Sequence, residues 1–212
     1  MIYEVRTYDL KPRSLPEVEK RFAEAYEHRK KHSPLAAFWH TEIGPLNQIV
    51  HVWPYRDLEE RTRIRAESVK DGTWPPKTAE FIVRMRSDIM LPFPVSPELK
   101  PGKSGPFYEM RTYTYPTGEL PKIMRAWERA LPERLKFSPL CAIWYAELGG
   151  LNTMVHIWPY ASLEQREEVR KKALASGSWP PSVKDLKEGG KGYELLTQEN
   201  KLLVPAAFSP LQ

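Results

Sequence analysis

The chain has 212 residues, 41% of them hydrophobic and 11% aromatic, with 32 Lys and Arg against 27 Asp and Glu for a net charge of +5. This length allows one large domain or two small ones, and the composition excludes a collagenous, disordered or membrane-spanning chain, since no stretch approaches the roughly 20 apolar residues of a span. A single cysteine, Cys141, excludes an internal disulfide and a cysteine-rich metal site.

In chain order, alternation predicts a strand over Ile2 to Tyr8, and with it no signal or transit peptide, so a cytoplasmic location is expected. Ser14-Leu15-Pro16-Glu17 reads as a capping box opening a helix whose apolar stripe is Val18, Phe22, Ala25 and Tyr26. The basic run His28-Arg29-Lys30-Lys31-His32 falls on the last turns of that helix, where cations complement the dipole; it reads as a solvated face, and no nucleic-acid partner is expected. Ser33-Pro34 stops the helix, and strands over Leu35 to Ile43 and Asn47 to Trp53 follow as a hairpin around Gly44-Pro45. A second helix runs from the capping box Asp57-Leu58-Glu59-Glu60 to Gly72; Trp74-Pro75-Pro76 then starts a short helical piece before a last strand near Ile89.

The same order returns. Shifting the sequence by 105 lays IYEVRTY on FYEMRTY, SPLAAFW on SPLCAIW and IVHVWPY on MVHIWPY, with about 32 identities in roughly 75 gapless positions. The tails realign at an offset of 113, which places an insertion near the Gly-rich KEGGKGYE segment and the second last strand near Leu202. Residues 1–97 and 106–212 are therefore two copies of one unit, joined by a connector over 98–105. Pro132 stands where the first copy has Glu27, so the corresponding helix is expected to kink or end early. The order strand, helix, strand, strand, helix, strand is that of a ferredoxin-like α+β unit.

Such a sheet carries its helices on one face, and the second copy supplies a sheet to cover the other. Strand parity then predicts that Tyr3, Val5, Val50 and Val52 face helices, while Glu4, Arg6, Tyr8, His51 and Trp53, with Glu109, Arg111, Tyr113, His156 and Trp158, face the space between the sheets. Parity does not decide whether Phe38 and His40 or Trp39 and Thr41 point inward.

Each residue with chemical promise also has a plainer role. His51 and His156 suit proton transfer near neutral pH, or serve as buried hydrogen-bonded histidines. Glu4 with Arg6 and Glu109 with Arg111 can orient a polar ligand, or form ion pairs across the sheet. Arg61 and Arg65, like Arg166 and Arg170, share a helix face suited to gripping a carboxylate or phosphate, or to pairing with Glu42 or surface carboxylates. Trp53 and Trp158 can stack on a planar ligand or fill core. His28 and His32 have metal-pair spacing, but lysines and Arg29 surround them and the second copy replaces both, so no metal is expected. No nucleophile elbow, phosphate loop or zinc motif is present.

The recurring YExRTY, the W...E.G.LN hairpin, H-x-W-P-Y and the paired arginines together resemble the NIPSNAP family over nearly the whole chain. The resemblance implies a dimeric α/β-barrel, here closed within one chain as a monomeric pseudo-dimer or further assembled as a homodimer. It implies architectural kinship to cofactor-independent monooxygenases and haem-degrading oxygenases, and no settled reaction. The expected function is binding of a small molecule or a protein partner, with an oxygenase as the alternative. In that alternative His51 or His156 deprotonates a substrate stacked on Trp53 or Trp158, or ligates haem; no cofactor is otherwise expected. The candidate ligand site is Glu4, Arg6, Tyr8, His51, Trp53 and Arg65, with Glu109, Arg111, Tyr113, His156, Trp158 and Arg170.

Overall fold

A computed structural model describes residues 1–181 and 195–212. The first repeat runs β1 (Ile2–Leu10), α1 (Leu15–Arg29), β2 (Ala37–Ile43), β3 (Gln48–Tyr55), α2 (Leu58–Lys70), a 3-10 turn (Ala79–Phe81) and β4 (Ile82–Pro92). The second runs β5 (Phe107–Thr114), α3 (Leu120–Leu135), β6 (Ala142–Leu148), β7 (Thr153–Tyr160), α4 (Leu163–Ala175) and β8 (Thr197–Pro205). The expected KEGGKGYE insertion and the second copy of the short helical piece lie outside the described residues.

Local chemistry sets most of these boundaries. At the start of α2 the Asp57 carboxylate accepts from the Glu60 N–H, while the Glu60 carboxylate accepts from the Arg56 N–H. Ser162 and Gln165 repeat the arrangement at α4. Both helices stop before a left-handed glycine, Gly72 and Gly177, each at φ +71. The box expected at α1 does not form, because the Ser14 hydroxyl donates backward to the Lys11 carbonyl at 2.6 Å. Nor does Pro132 shorten α3, which runs three residues beyond it to Leu135. So close to the helix end, the missing N–H costs one hydrogen bond and leaves the remaining turn intact.

Each repeat forms an antiparallel sheet in the order β4-β1-β3-β2 or β8-β5-β7-β6, and the seams β2·β8 and β4·β6 close the two into one eight-stranded barrel. The chain tail after each last strand crosses to the other repeat. Phe93 packs among the outer side chains of the second repeat and Ala206 among those of the first. Ser96 and Ser209 accept from the Ile143 and Phe38 amides to hold those crossings. One barrel end is sealed: Leu99 of the connector and Leu211 pack into the barrel core, and Gly102 pairs with Leu211. Among the described residues no helix is long and apolar enough to cross a membrane.

The two sheet faces are the reverse of the parity expectation. Tyr3, Val5, Val50 and Val52, with Tyr108, Met110, Val155 and Ile157, fill the barrel interior. There Tyr3 stacks on Trp144 at 4.6 Å and Trp39 meets Tyr108 at 5.3 Å, which binds the repeats to each other. Tyr8, Ile49 and Trp53 point outward, under Val18 and Phe22 of α1 and Ile64 of α2. An eight-stranded barrel has an interior just wide enough for side chains to fill or for one small ligand. It therefore takes the aliphatic and aromatic set, and Glu4, Arg6 and His51 go to the helix side, where Arg61 and Arg65 of α2 supply counter-charges to Glu4. The undecided strand splits the same way, with Trp39 inside and Phe38 under the helices.

Candidate functional site

The groove between helices and sheet gathers the expected residues of each repeat, outside the barrel rather than between the sheets. At its base lies Glu4, fully buried on β1. Its Oε1 accepts from Arg61 at 2.6 Å, Arg6 at 2.7 Å and the Ser87 hydroxyl at 2.8 Å, while Arg65 lies 3.6 Å from Oε2. Burial raises the Glu4 pKa, but the Arg61 hydrogen bond and the Arg6 and Arg65 charges outweigh it and hold the carboxyl at about 2. Arg61 and Arg65 thus pair with the sheet and not with Glu42, which is exposed. The second repeat duplicates the cluster: Glu109 pairs with Arg166 at 2.5 Å, Arg111 at 3.1 Å and Arg170 at 3.8 Å.

The next layer is aromatic. Arg6 donates through Nε to the Tyr8 hydroxyl at 2.7 Å, and Arg111 treats Tyr113 identically. Trp53 Nε1 donates to His51 Nδ1 at 2.7 Å, and Trp158 to His156 at 2.6 Å. With Nδ1 accepting, each neutral imidazole carries its proton on Nε2, which has no partner among the described residues in either repeat. Burial holds both histidines well below the usual imidazole pKa, helped by Arg6 at His51 and by Arg111 at His156. The only lone pair is committed to tryptophan, so neither ring is free to act as a base in this arrangement. The ring of His51 also lies beneath Phe38, stacked at 5.4 Å, and Phe22 at 5.5 Å, away from the groove cavity, whereas His156 lines its own.

One pair of residues escaped sequence reasoning. Arg29, in the basic run read as solvated, is 2% exposed and lies 4.5 Å over the Trp53 ring. Its partners are neutral: the Ser33 hydroxyl at 2.8 Å and the Tyr55 hydroxyl at 3.1 Å. Arg134 repeats this with Ser138 at 2.8 Å, Tyr160 at 3.2 Å and the Trp158 ring at 4.0 Å. Burial pushes both guanidinium pKa values down, a direction that marks charge held without enough compensation. The signal was in the repeat: position 29 and position 134 are both arginine, each four residues before a Ser-Pro.

These layers enclose a cavity of about 410 Å³ in the first repeat and about 290 Å³ in the second. The matching walls are Arg6, Arg29, Arg65, Trp53 and Trp74 in one, and Arg111, Arg134, Arg170, Trp158 and Trp179 in the other. They differ where Phe22 lines the first and Trp127 stands at the equivalent place in the second. Among the described residues no three His, Cys, Asp or Glu side chains converge to hold a metal. What the grooves offer is a flat aromatic wall under excess positive charge.

Comparison with known proteins places this geometry. The human protein NipSnap homolog 3A is 30% identical over 219 residues, covering all of this chain and 86% of its own. A NipSnap homolog from Dictyostelium discoideum is 29% identical over 96% of this chain and 87% of its own. A putative monooxygenase from Lactobacillus acidophilus superposes with a TM-score of 0.61 over 97% of this chain and 94% of its own, and at 11% identity it shares the fold alone. The NIPSNAP family model matches twice, over residues 3–97 and 108–210. With a relative matched along the whole of this chain and both repeats recognised, the chain belongs to the NIPSNAP family and carries two copies of its domain.

Proposed function

We propose that each repeat binds a small, flat organic anion in the groove between its helices and sheet. The observation that carries this reading is the buried guanidinium of Arg29, and again of Arg134, stacked on tryptophan with no carboxylate in salt-bridge contact among the described residues. A buried charge without a counter-ion is costly, and a site that keeps one twice over is built for a ligand that brings the opposite charge. Guanidinium takes a carboxylate or phosphate bidentately, and Trp53 with Trp74, or Trp158 with Trp179, supports a ring beside it. The cavity volumes fit a one- or two-ring ligand. Of the two readings the sequence left open, this favours binding; proton abstraction would need a free imidazole lone pair, and the Trp53 and Trp158 N–H groups occupy it.

The test is calorimetric titration with 2-naphthoate and, as the uncharged control, 2-naphthol. Two sites per chain and a preference for the anion of about tenfold or more are expected, since each charge-assisted hydrogen bond contributes about 1.5–3 kcal/mol. Arg29→Met with Arg134→Met should remove that preference. Equal affinity for acid and alcohol, or a double variant that binds like the parent, would refute the reading.

A further inference from the structure

The grooves are not the only cavity. At the barrel end opposite the sealed one, a space of about 850 Å³ opens between the two sheets, lined by both repeats. Its floor is Val5, Met90, Met110 and Val155, all part of the barrel core. Above the floor stand Thr7 and Thr112, then a charged rim. From Asp9 at the rim to Val5 at the floor is four residues, about 13 Å of strand and about 10 Å of depth once the strands tilt, enough for an alkyl chain of about eight carbons.

Two of the three rim carboxylates are held by arginine. Arg84 holds Asp9 at 2.7 Å and Arg86 holds Asp88 at 2.7 Å. Glu199 is exposed at the edge. Lys201 is half-buried on β8, and its ammonium donates to the neutral Gln48 amide oxygen at 2.8 Å, with no carboxylate in salt-bridge contact among the described residues. Gln48 is itself fixed, donating through Nε2 to Asp9 at 2.5 Å, so the lysine is aimed by a hydrogen-bond relay and not left to wander. Burial, with Arg86 and Arg84 close by, pulls the Lys201 pKa down despite Glu199 and Asp9. An oriented, under-compensated cation thus stands above a blind apolar well.

We propose that the barrel mouth is a separate binding site that takes one amphipathic carboxylate, its alkyl chain in the well and its head group on Lys201. Direct pairing with Lys201 gives the head group a charge-assisted hydrogen bond, and the chain replaces water over methionine and valine side chains. The two-fold relation of the repeats does not double this site. Pairing of Val5 with Asp88 and of Met110 with Lys201 shows that the lysine occupies the place an aspartate holds in the other repeat. One ligand per chain is expected.

The probe is octanoate, titrated into the full chain labelled with 13C at the methionine methyls. The Met90 and Met110 signals should shift together and saturate at one equivalent. Lys201→Met should weaken octanoate by about tenfold or more, with octanol little affected. Thr112→Trp, which places an indole across the well above its floor, should abolish both shifts. Unmoved Met90 and Met110 signals at millimolar octanoate, or a Lys201→Met variant that binds as the parent does, would overturn the proposal. So would shifts confined to Met124, which packs beside the second groove. The groove reading stands or falls separately, on Arg29, Arg134 and naphthoate.

Discussion

Replacing Glu4 by Gln keeps the shape of the groove base and removes the one negative charge that Arg6, Arg61 and Arg65 share. A fall of the Glu4 pKa from its usual 4.5 to about 2 on folding corresponds to about 3 kcal/mol of stability at neutral pH. The sign follows from the direction: the folded state binds the proton more weakly, so the contribution is complete above pH about 4.5 and fades as the pH falls toward 2. The variant also leaves three guanidinium groups facing each other, a disruption of the kind that costs about 3–5 kcal/mol for a broken buried pair. Urea unfolding at pH 7 should therefore show Glu4→Gln less stable by about 3 kcal/mol or more. Repeated between pH 5 and 2.5, it should show a shallower acid loss in the variant than in the parent. Parallel acid losses, or a pH 7 difference below about 1 kcal/mol, would refute the assignment of Glu4 as the electrostatic centre of the groove.

Two further expectations concern backbone and thiol. Gly149 sits at φ +112 with Asp88 Oδ1 where a side chain would begin, whereas Gly118 sits at φ +88 with open space around it. Gly118→Ala should cost about 1 kcal/mol for the left-handed backbone alone, and Gly149→Ala at least about 1 kcal/mol more because it displaces Asp88 from the Gly150 amide; equal losses in urea unfolding would remove that contact from the account. Cys141 is partly buried, and burial pushes its thiol up to about 12, so a disulfide reagent at pH 8 should modify the native protein at least about a hundredfold more slowly than the urea-unfolded chain; equal rates would contradict this.

The duplication, the strand order and the α2 and α4 caps were legible because each is written in local sequence: a repeated motif, a turn, a Ser or Asp three residues before Glu or Gln. Glu4, Arg6, Tyr8 and Trp53 with their counterparts were legible too, as a set sharing one sheet face. Which face they share was not. β7 is buried at every residue and β3 at all but one, so alternation marks two faces without saying which meets the other sheet. Deciding required knowing that β2 joins β8 and β4 joins β6, contacts between strands far apart in sequence. Arg29 was hidden for a different reason. Its neighbours His28 and Lys30 are exposed, and a helix sends adjacent residues to different sides, so a run of cations in the sequence is not one surface in the fold.

The barrel axis relates Asp88 to Lys201 and Phe22 to Trp127. In a barrel assembled from two identical chains every substitution is made twice, and a favourable change on one side must be tolerated on the other. Two lysines or two aspartates would then share the mouth. Joining the halves by a short peptide lifts that constraint, so one groove can narrow while its twin stays wide. The covalent link is thus less a device for holding the halves together, which the barrel seams already do, than a licence for them to become different.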